Sequence, residues 1–328
     1  MNWYRTPVDS KLLKGLHERS DWLGGVQTLG YLAVIAATGA AAYLAVGRLP
    51  LAAVVGLVFL HGTVAAFMIN AVHELGHGTV FKTKWMNSLF VRVYSFLGWL
   101  NFEMFGASHL RHHRYTLHPP DDLEVVLPMR LMVWHFFKTG LVNPAGLYNP
   151  LMGMIRIARG KFCGEWELTL YPEGEPQKRR ATVNWTRTVL AGHALIVGVS
   201  IYFKLWMLPV VTTLTPLYGG WLFFLCNNTQ HIGLQDNVPD FRLCCRTFLP
   251  NPVVRFLYWQ MNYHTEHHMY AAVPCYRLGR LHALIQYDLP PCPDGIIATW
   301  REIAAIQKRQ DNDPSYQYAA PLPNFPTI

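Results

Sequence analysis

The sequence predicts an all-α membrane protein with four transmembrane helices arranged as two hairpins, and three observations carry that expectation. Of 328 residues, 51% are hydrophobic and only 15% are charged, whereas soluble domains carry roughly 25% charge. Two pairs of apolar stretches approach the roughly 20 residues that a helix needs to cross hydrocarbon. Of the 28 lysines and arginines, only Arg48 and Lys204 fall in the short loops that join the members of each pair.

The first pair runs over residues 29–46 and 51–70, joined by Gly47–Pro50; neither stretch carries a charge, and the second contains His61. A cleaved secretory signal is disfavoured because residues 1–28 precede the first stretch and a second one follows at once. The second pair runs over about 189–207 and 208–226, with Lys204 marking the turn between the uncharged runs 189–203 and 205–226, the latter broken by Pro209, Pro216 and Gly219–Gly220. Residues 89–105, interrupted by Arg92 and Glu103, and 131–137, bracketed by Arg130 and Lys138, read as interfacial. Basic residues concentrate in the N-terminal tail, in 71–188 and in 227–328. By the positive-inside tendency these regions face the cytoplasm, with both termini on that side.

The six cysteines form no CxxC pair and read as free thiols. A net charge of +8 is spread among apolar residues, with no basic run longer than Lys178–Arg180. Membrane phosphate, and not nucleic acid, is the expected counter-charge.

Fifteen histidines are the conspicuous surplus. His73 and His77 frame an HELGH segment just after the second span; His109, His112 and His113 form HLRHH; His264, His267 and His268 form HTEHH; and His231 follows the fourth span. At about 100° per residue, positions i, i+3 and i+4 share one helix face, so each group presents several imidazole nitrogens together. Clustered imidazoles repel when protonated and lack donors when neutral, which leaves metal binding as their reason to converge. Two metals with four or five ligands apiece account for nine. His17, His61, His135, His193 and His282 stand singly and read as packing or hydrogen-bonding residues, and His118 as supporting a ligand or facing substrate. HELGH is also an HExxH motif, the zinc-protease pattern, but that reading leaves seven clustered histidines idle.

These three histidine groups, set around two pairs of spans, resemble the integral-membrane fatty acid desaturase and hydroxylase family over roughly residues 30–285. The resemblance implies one domain across 1–328, with a four-span base under a cytoplasmic helical cap (71–188 and 227–328). It also implies two irons held by His73, His77, His109, His112, His113, His231, His264, His267 and His268, with Asn227, four residues before His231, reaching metal through water. The implied reaction is oxygen-dependent attack on an unactivated C–H bond of a fatty acyl or related aliphatic chain, giving an alkene or an alcohol. The implied location is the endoplasmic reticulum in a eukaryote or the inner membrane in a bacterium. The chain shows no GxGxxG, iron–sulfur cysteine set or haem segment. A separate cytochrome b5 or ferredoxin with its reductase is therefore the expected electron donor, for which Lys178–Arg180 is a candidate surface. Trp99, Phe102, Trp221 and Phe224 are candidate channel walls, and Glu74, Glu266, Asp121 and Asp122 candidate acceptors for the second ring N–H of ligand imidazoles.

Overall fold

The computed structural model describes residues 1–323; the end of the proline-rich 321–326 tail lies outside them. The described residues are all-α, with isolated bridges in place of any sheet. Helix α1 (Ser10–Leu16) starts where Asp9 accepts the Lys11 and Leu12 N–H groups at 3.0 and 3.1 Å, and α2 (Asp21–Ala45) where Ser20 caps Leu23. Gly47, at φ +72°, turns the chain into α3 (Leu51–Ala65), which continues after a turn at Phe67 as α4 (Met68–Gly76). Two runs, Asp21–Ala45 and Leu51–Gly76, are long and apolar enough to cross a membrane. Large apolar side chains such as Leu29, Leu44, Leu51, Val55 and Leu60 remain exposed along them. In water that pattern would cost free energy, and it matches a surface meant for lipid.

Helix α5 (Lys84–Leu97) packs on α4, and α6 (Phe102–Tyr115) follows from an Asn101 cap whose amide also donates to Thr182 O and Thr186 Oγ1 at 3.0 and 2.7 Å. Helices α7 (Val133–Gly140), α8 (Pro144–Ala158) and α9 (Gly164–Leu170) lead to α10 (Pro176–Tyr202). The last begins well before the expected residue 189, because Pro176 at its first turn presets the helical φ and the polar 177–188 stretch is helix-competent.

The expected helix over 208–226 is the main correction. The chain forms α11 (Met207–Val211), a 3₁₀ turn at Thr215–Leu217 and α12 (Trp221–Asn227), in agreement with the breaks that Pro216 and Gly219–Gly220 impose. Gly219 adopts φ +77°, and a Cβ there would stand 2.6 Å from Thr63 N, so the broken segment lies directly on α3. Its freed backbone groups find partners in three aromatic side chains. His61 Nε2 lies 2.9 Å from Val211 O, Trp99 Nε1–H donates to Thr213 O at 2.9 Å, and Tyr218 OH donates to Val210 O at 2.7 Å. Such satisfaction is what non-helical backbone among apolar helices requires.

Beyond it, α13 (Phe241–Cys244), α14 (Pro252–Leu257), α15 (His264–Met269), α16 (Cys275–Ile285) and α17 (Gly295–Asn312) gather around a core that includes Phe67, Phe81, Tyr94, Phe241, Trp259 and Met269. All six cysteines are free thiols.

Candidate metal centre

The three histidine groups stand on short helices that meet at one point. His73 and His77 come from the end of α4, where glycines at 76 and 78 release the chain; His109, His112 and His113 from the last turn and a half of α6; His264, His267 and His268 from α15; and His231 from the loop after α12. Their nitrogens sort into two sets, each within 4.8 Å of one another: His73, His77, His109, His113 and His267, and His112, His231, His264 and His268.

The sorting follows from helix geometry. Positions i and i+4 lie about 40° apart on one side of the helix axis, while i+3 lies about 60° to the other side of i. So His109 and His113 join one set and His112 the other; on α15, His264 and His268 share a set and His267 crosses over. Each HxxHH group thereby feeds both sets.

Hydrogen bonds fix which nitrogen points inward. His73 Nδ1 donates to Glu74 Oε1 at 3.0 Å, His109 Nδ1 to Glu124 Oε1 at 2.9 Å, His112 Nδ1 to Asp122 Oδ2 at 2.8 Å and His231 Nδ1 to Cys244 O at 2.8 Å. Each leaves a bare Nε2 lone pair facing the centre. Nε2 of His73, His77 and His268 is buried with no protein partner. His113 Nε2 sits 2.9 Å from His109 Nε2 and 3.1 Å from His267 Nε2, and a single proton cannot serve both contacts. Convergent, unpartnered lone pairs are what cations bind, and nitrogen ligands about 2.1 Å from one ion stand at most about 4.2 Å apart, so small contractions fit each set around an ion. The clusters are able to hold metal.

Electrostatics agree with that fit. Desolvation lowers the His77 pKa to about 4, and desolvation with the charge of His112 lowers that of His231 to about 3. Burial first, then mutual repulsion, holds His109, His113, His264, His267 and His268 well below the ordinary value. At neutral pH these rings are uncharged, the form that ligates. Burial raises Glu124; at Asp122 burial opposes ionisation, but the hydrogen bond and charge of His112 with the Leu117 and Glu124 N–H groups prevail and lower it.

Several expected supports lie elsewhere. Glu266 accepts from Thr247 and from His282 Nδ1, each at 2.5 Å, and so braces α15 without touching a ring of either set. Asp121 is exposed and pairs with Arg111 at 3.2 Å. His118 turns away, its Nδ1 2.8 Å from Thr116 O and its ring against Trp3. Glu124 was not among the expected acceptors: it lies fifteen residues from His109, a separation without helical periodicity.

Beside the nitrogens lies a cavity of about 460 Å³ lined by His73, Phe105, His109, His112, His231 and Asn227 among others. Asn70, an unexpected polar residue with a buried, unpartnered Oδ1, also lines it. A second cavity of about 470 Å³, also mostly apolar, shares Ile69 and Asn227 with the first and is walled by Trp99, Tyr218, Phe223 and Phe224. Phe102 packs on Trp185, and Trp221 donates to Thr63 Oγ1 at 3.0 Å; neither lines these cavities. Lys178 and Arg179 are engaged too, donating to Leu170 O and Tyr171 O at 2.8 Å each.

A search of curated proteins gives no match to the chain. The model of the fatty acid desaturase family, however, matches residues 48–298, which is more than half of the chain and takes in every histidine of both sets, and the chain belongs to that family.

Proposed function

We propose that this chain is an oxygen-dependent di-iron desaturase of the membrane, introducing a double bond into a fatty acyl or related aliphatic chain. Family membership makes it an enzyme of the di-iron oxidoreductase type, and the observation that carries the finer reading is the division of nine imidazoles into sets of five and four beside an apolar cavity. His73, His77, His109, His113 and His267 would hold one iron; His112, His231, His264 and His268 the other, with Asn227 reaching it through water. The two irons, with oxygen and two electrons, supply the oxidising power that an aliphatic C–H bond demands.

The protein's part is placement and protection. Methylene groups are chemically alike, so selection among them rests on position. The apolar cavity walled by Trp99, Tyr218 and Phe223 receives the chain, and Ile69 and Asn227 mark where it passes to the histidine cavity. Glu74, Glu124 and Asp122 hold ring protons on the Nδ1 atoms so that Nε2 stays unprotonated. Glu74 is fully buried with His73 Nδ1 at 3.0 Å and His267 Nδ1 at 3.6 Å, which speaks against its acting as the water-activating base of a zinc protease.

The rest of the reading is a single domain over 1–328 with four spans, the third carried by α10 and the fourth by the broken α11–α12 segment, and a catalytic face toward the cytoplasm. Electrons come from a separate cytochrome b5 or ferredoxin with its reductase. Hydroxylation in place of desaturation uses the same ligands and is read out in the same assay. Lipid and metabolite profiles of cells expressing the wild type should contain an unsaturated product that is missing with His267→Ala, and purified protein should carry two irons per chain. Identical profiles, or a hydroxylated product alone, would overturn the desaturase reading.

A further inference from the structure

The extended N-terminal segment brings an aromatic residue, Trp3, into line with a ring that contacts the histidine cluster. Tyr4 N–H donates to Pro239 O at 2.9 Å, and Tyr4 pairs with Asp240 in an isolated bridge, which lays the preceding residue on the start of α13. There the Trp3 indole stacks on Phe241 at 4.2 Å and 8° between planes, and Phe241 lies 5.5 Å from the His268 ring. The indole is pinned from two further sides. Its Nε1–H donates to Arg114 O at 3.0 Å, and His118 packs edge-on at 5.3 Å. Tyr4 is itself held under the Arg242 guanidinium, 3.8 Å from its ring centroid, and that arginine pairs with Asp240 and Asp288. Phe241 is fully buried, His268 nearly so, and Trp3 half-exposed, so the three rings run from surface to centre.

A stacked aromatic pair has no need of a buried ion-pair brace to bury a modest area, so packing alone accounts poorly for the arrangement. We propose that Trp3 and Phe241 form the electron path by which a separate protein donor reduces the centre through His268, an inference that rests on the di-iron reading above. Tunnelling decays steeply with distance, and one stacked and one tilted ring contact shorten the gap that solvent would otherwise fill. Each reduced donor gives up one electron and is oxidised by one; two such transfers reduce the di-iron centre by two electrons. No bond forms or breaks at Trp3 or Phe241, and neither ring is itself oxidised.

The surface around Trp3 identifies the kind of donor. Arg5 and Arg114 are exposed and, among the described residues, in no ion pair. In the alternative basic run, Lys178 and Arg179 donate to Leu170 O and Tyr171 O, which leaves Arg180 as its one uncommitted cation among the described residues. A positive rim around a half-exposed aromatic fits a small acidic carrier of a haem or iron–sulfur group, drawn in by charge and seated over the indole.

The test is anaerobic stopped-flow mixing of full-length, iron-loaded protein with reduced cytochrome b5 or reduced ferredoxin, following donor oxidation directly. At saturating donor, Trp3→Leu, which keeps apolar bulk, should slow donor oxidation by about tenfold or more, while Trp3→Phe, which keeps the ring, should stay near wild type. The double variant Arg5→Glu/Arg114→Glu should raise the donor concentration for half-maximal rate and flatten its salt dependence, leaving the limiting rate alone. Reduction by dithionite, which needs no docking, should be equal in all four proteins. Equal donor oxidation by wild type and Trp3→Leu would overturn the path alone, as would parallel slowing of dithionite reduction, which would make Trp3 a packing residue. Wild-type protein that binds no iron would overturn the di-iron reading and the path with it.

Discussion

At the scale of single residues, the ring nitrogens that face away from the centre decide as much as those that face it. Glu124 accepts from both His109 Nδ1 and Ser108 Oγ, at 2.9 and 2.6 Å, and thereby fixes the tautomer of a ring that has no other partner on that side. Glu124→Ala should weaken metal binding by about 10- to 100-fold while leaving the helical content intact, as metal titration monitored beside circular dichroism will show. The lowered histidine pKa values carry a pH dependence of definite sign. An unfolded histidine takes up a proton near about 6.5, whereas His77 and His231 resist until about 4 and about 3. Over that interval the unfolded chain binds more protons, so stability is full above the upper limit and falls as pH drops through the window. Metal retention should fall with it, since protonated rings do not ligate; dialysis at stepped pH followed by iron analysis tests this, and iron retained unchanged at pH 4 would contradict it. Eight of the nine histidines were legible in the sequence because HxxHH and HxxxH spacing survives without any knowledge of tertiary structure, and the solitary His231 only through the resemblance to the family. Their partners were legible where a carboxylate lay within or just after a box, as with Glu74 and Asp122. Glu124 and the Cys244 carbonyl meet their rings through chain reversals that leave no local periodicity.

At the scale of elements, apolar runs were legible as helices where nothing interrupted them, and misleading where proline and glycine did. Composition alone made residues 208–226 look like a span; the chain instead breaks there and leans on α3. His61 and His193, which stood outside any metal group in the sequence, find their use at this break. His61 bridges Thr38 Oγ1 and Val211 O at 2.9 Å each, and His193 reaches Thr213 Oγ1 at 3.1 Å while its ring stacks on Trp99 at 4.1 Å. Trp99 itself sits at φ +54° and lines the apolar cavity, so the break and the cavity wall are one construction. Gly219→Ala adds both a Cβ against Thr63 N and a side chain in the left-handed region. A loss on the order of 3 kcal/mol is expected, visible as a lowered Tm, while Gly15→Ala, which meets open space, should change little.

For the whole molecule, charge asymmetry and the two apolar runs make a claim about sidedness that side-chain geometry does not address. If both hairpins insert from the cytoplasm, single cysteines placed at Arg48 and Lys204 in a cysteine-free variant should react with a membrane-impermeant maleimide from the side opposite to cysteines placed at Arg19 and Lys308. Labelling of all four from one side would contradict the four-span reading. Contacts between distant stretches close the described fold. Thr6 Oγ1 and Tyr4 OH both donate to Asp288, at 2.6 and 2.8 Å, and Arg277 donates to Gly15 O at 2.9 Å, so the first residues close over the last helices. None of this closure was readable in advance, because it joins segments more than two hundred and fifty residues apart that carry no shared pattern.

The crossing of each HxxHH group between the two sets bears on how the protein acquires its metals. Because α6 and α15 each feed both sets, whatever a first ion would cost in drawing the rings of one set together would also place the remaining nitrogens for a second. Loading is then expected to be cooperative, with a half-filled protein the scarce species in a metal titration. Damage to a single helix turn, on α6 or on α15, would remove nitrogens from both sets at once. What the sequence writes as separate boxes behaves in the folded chain as one indivisible vessel.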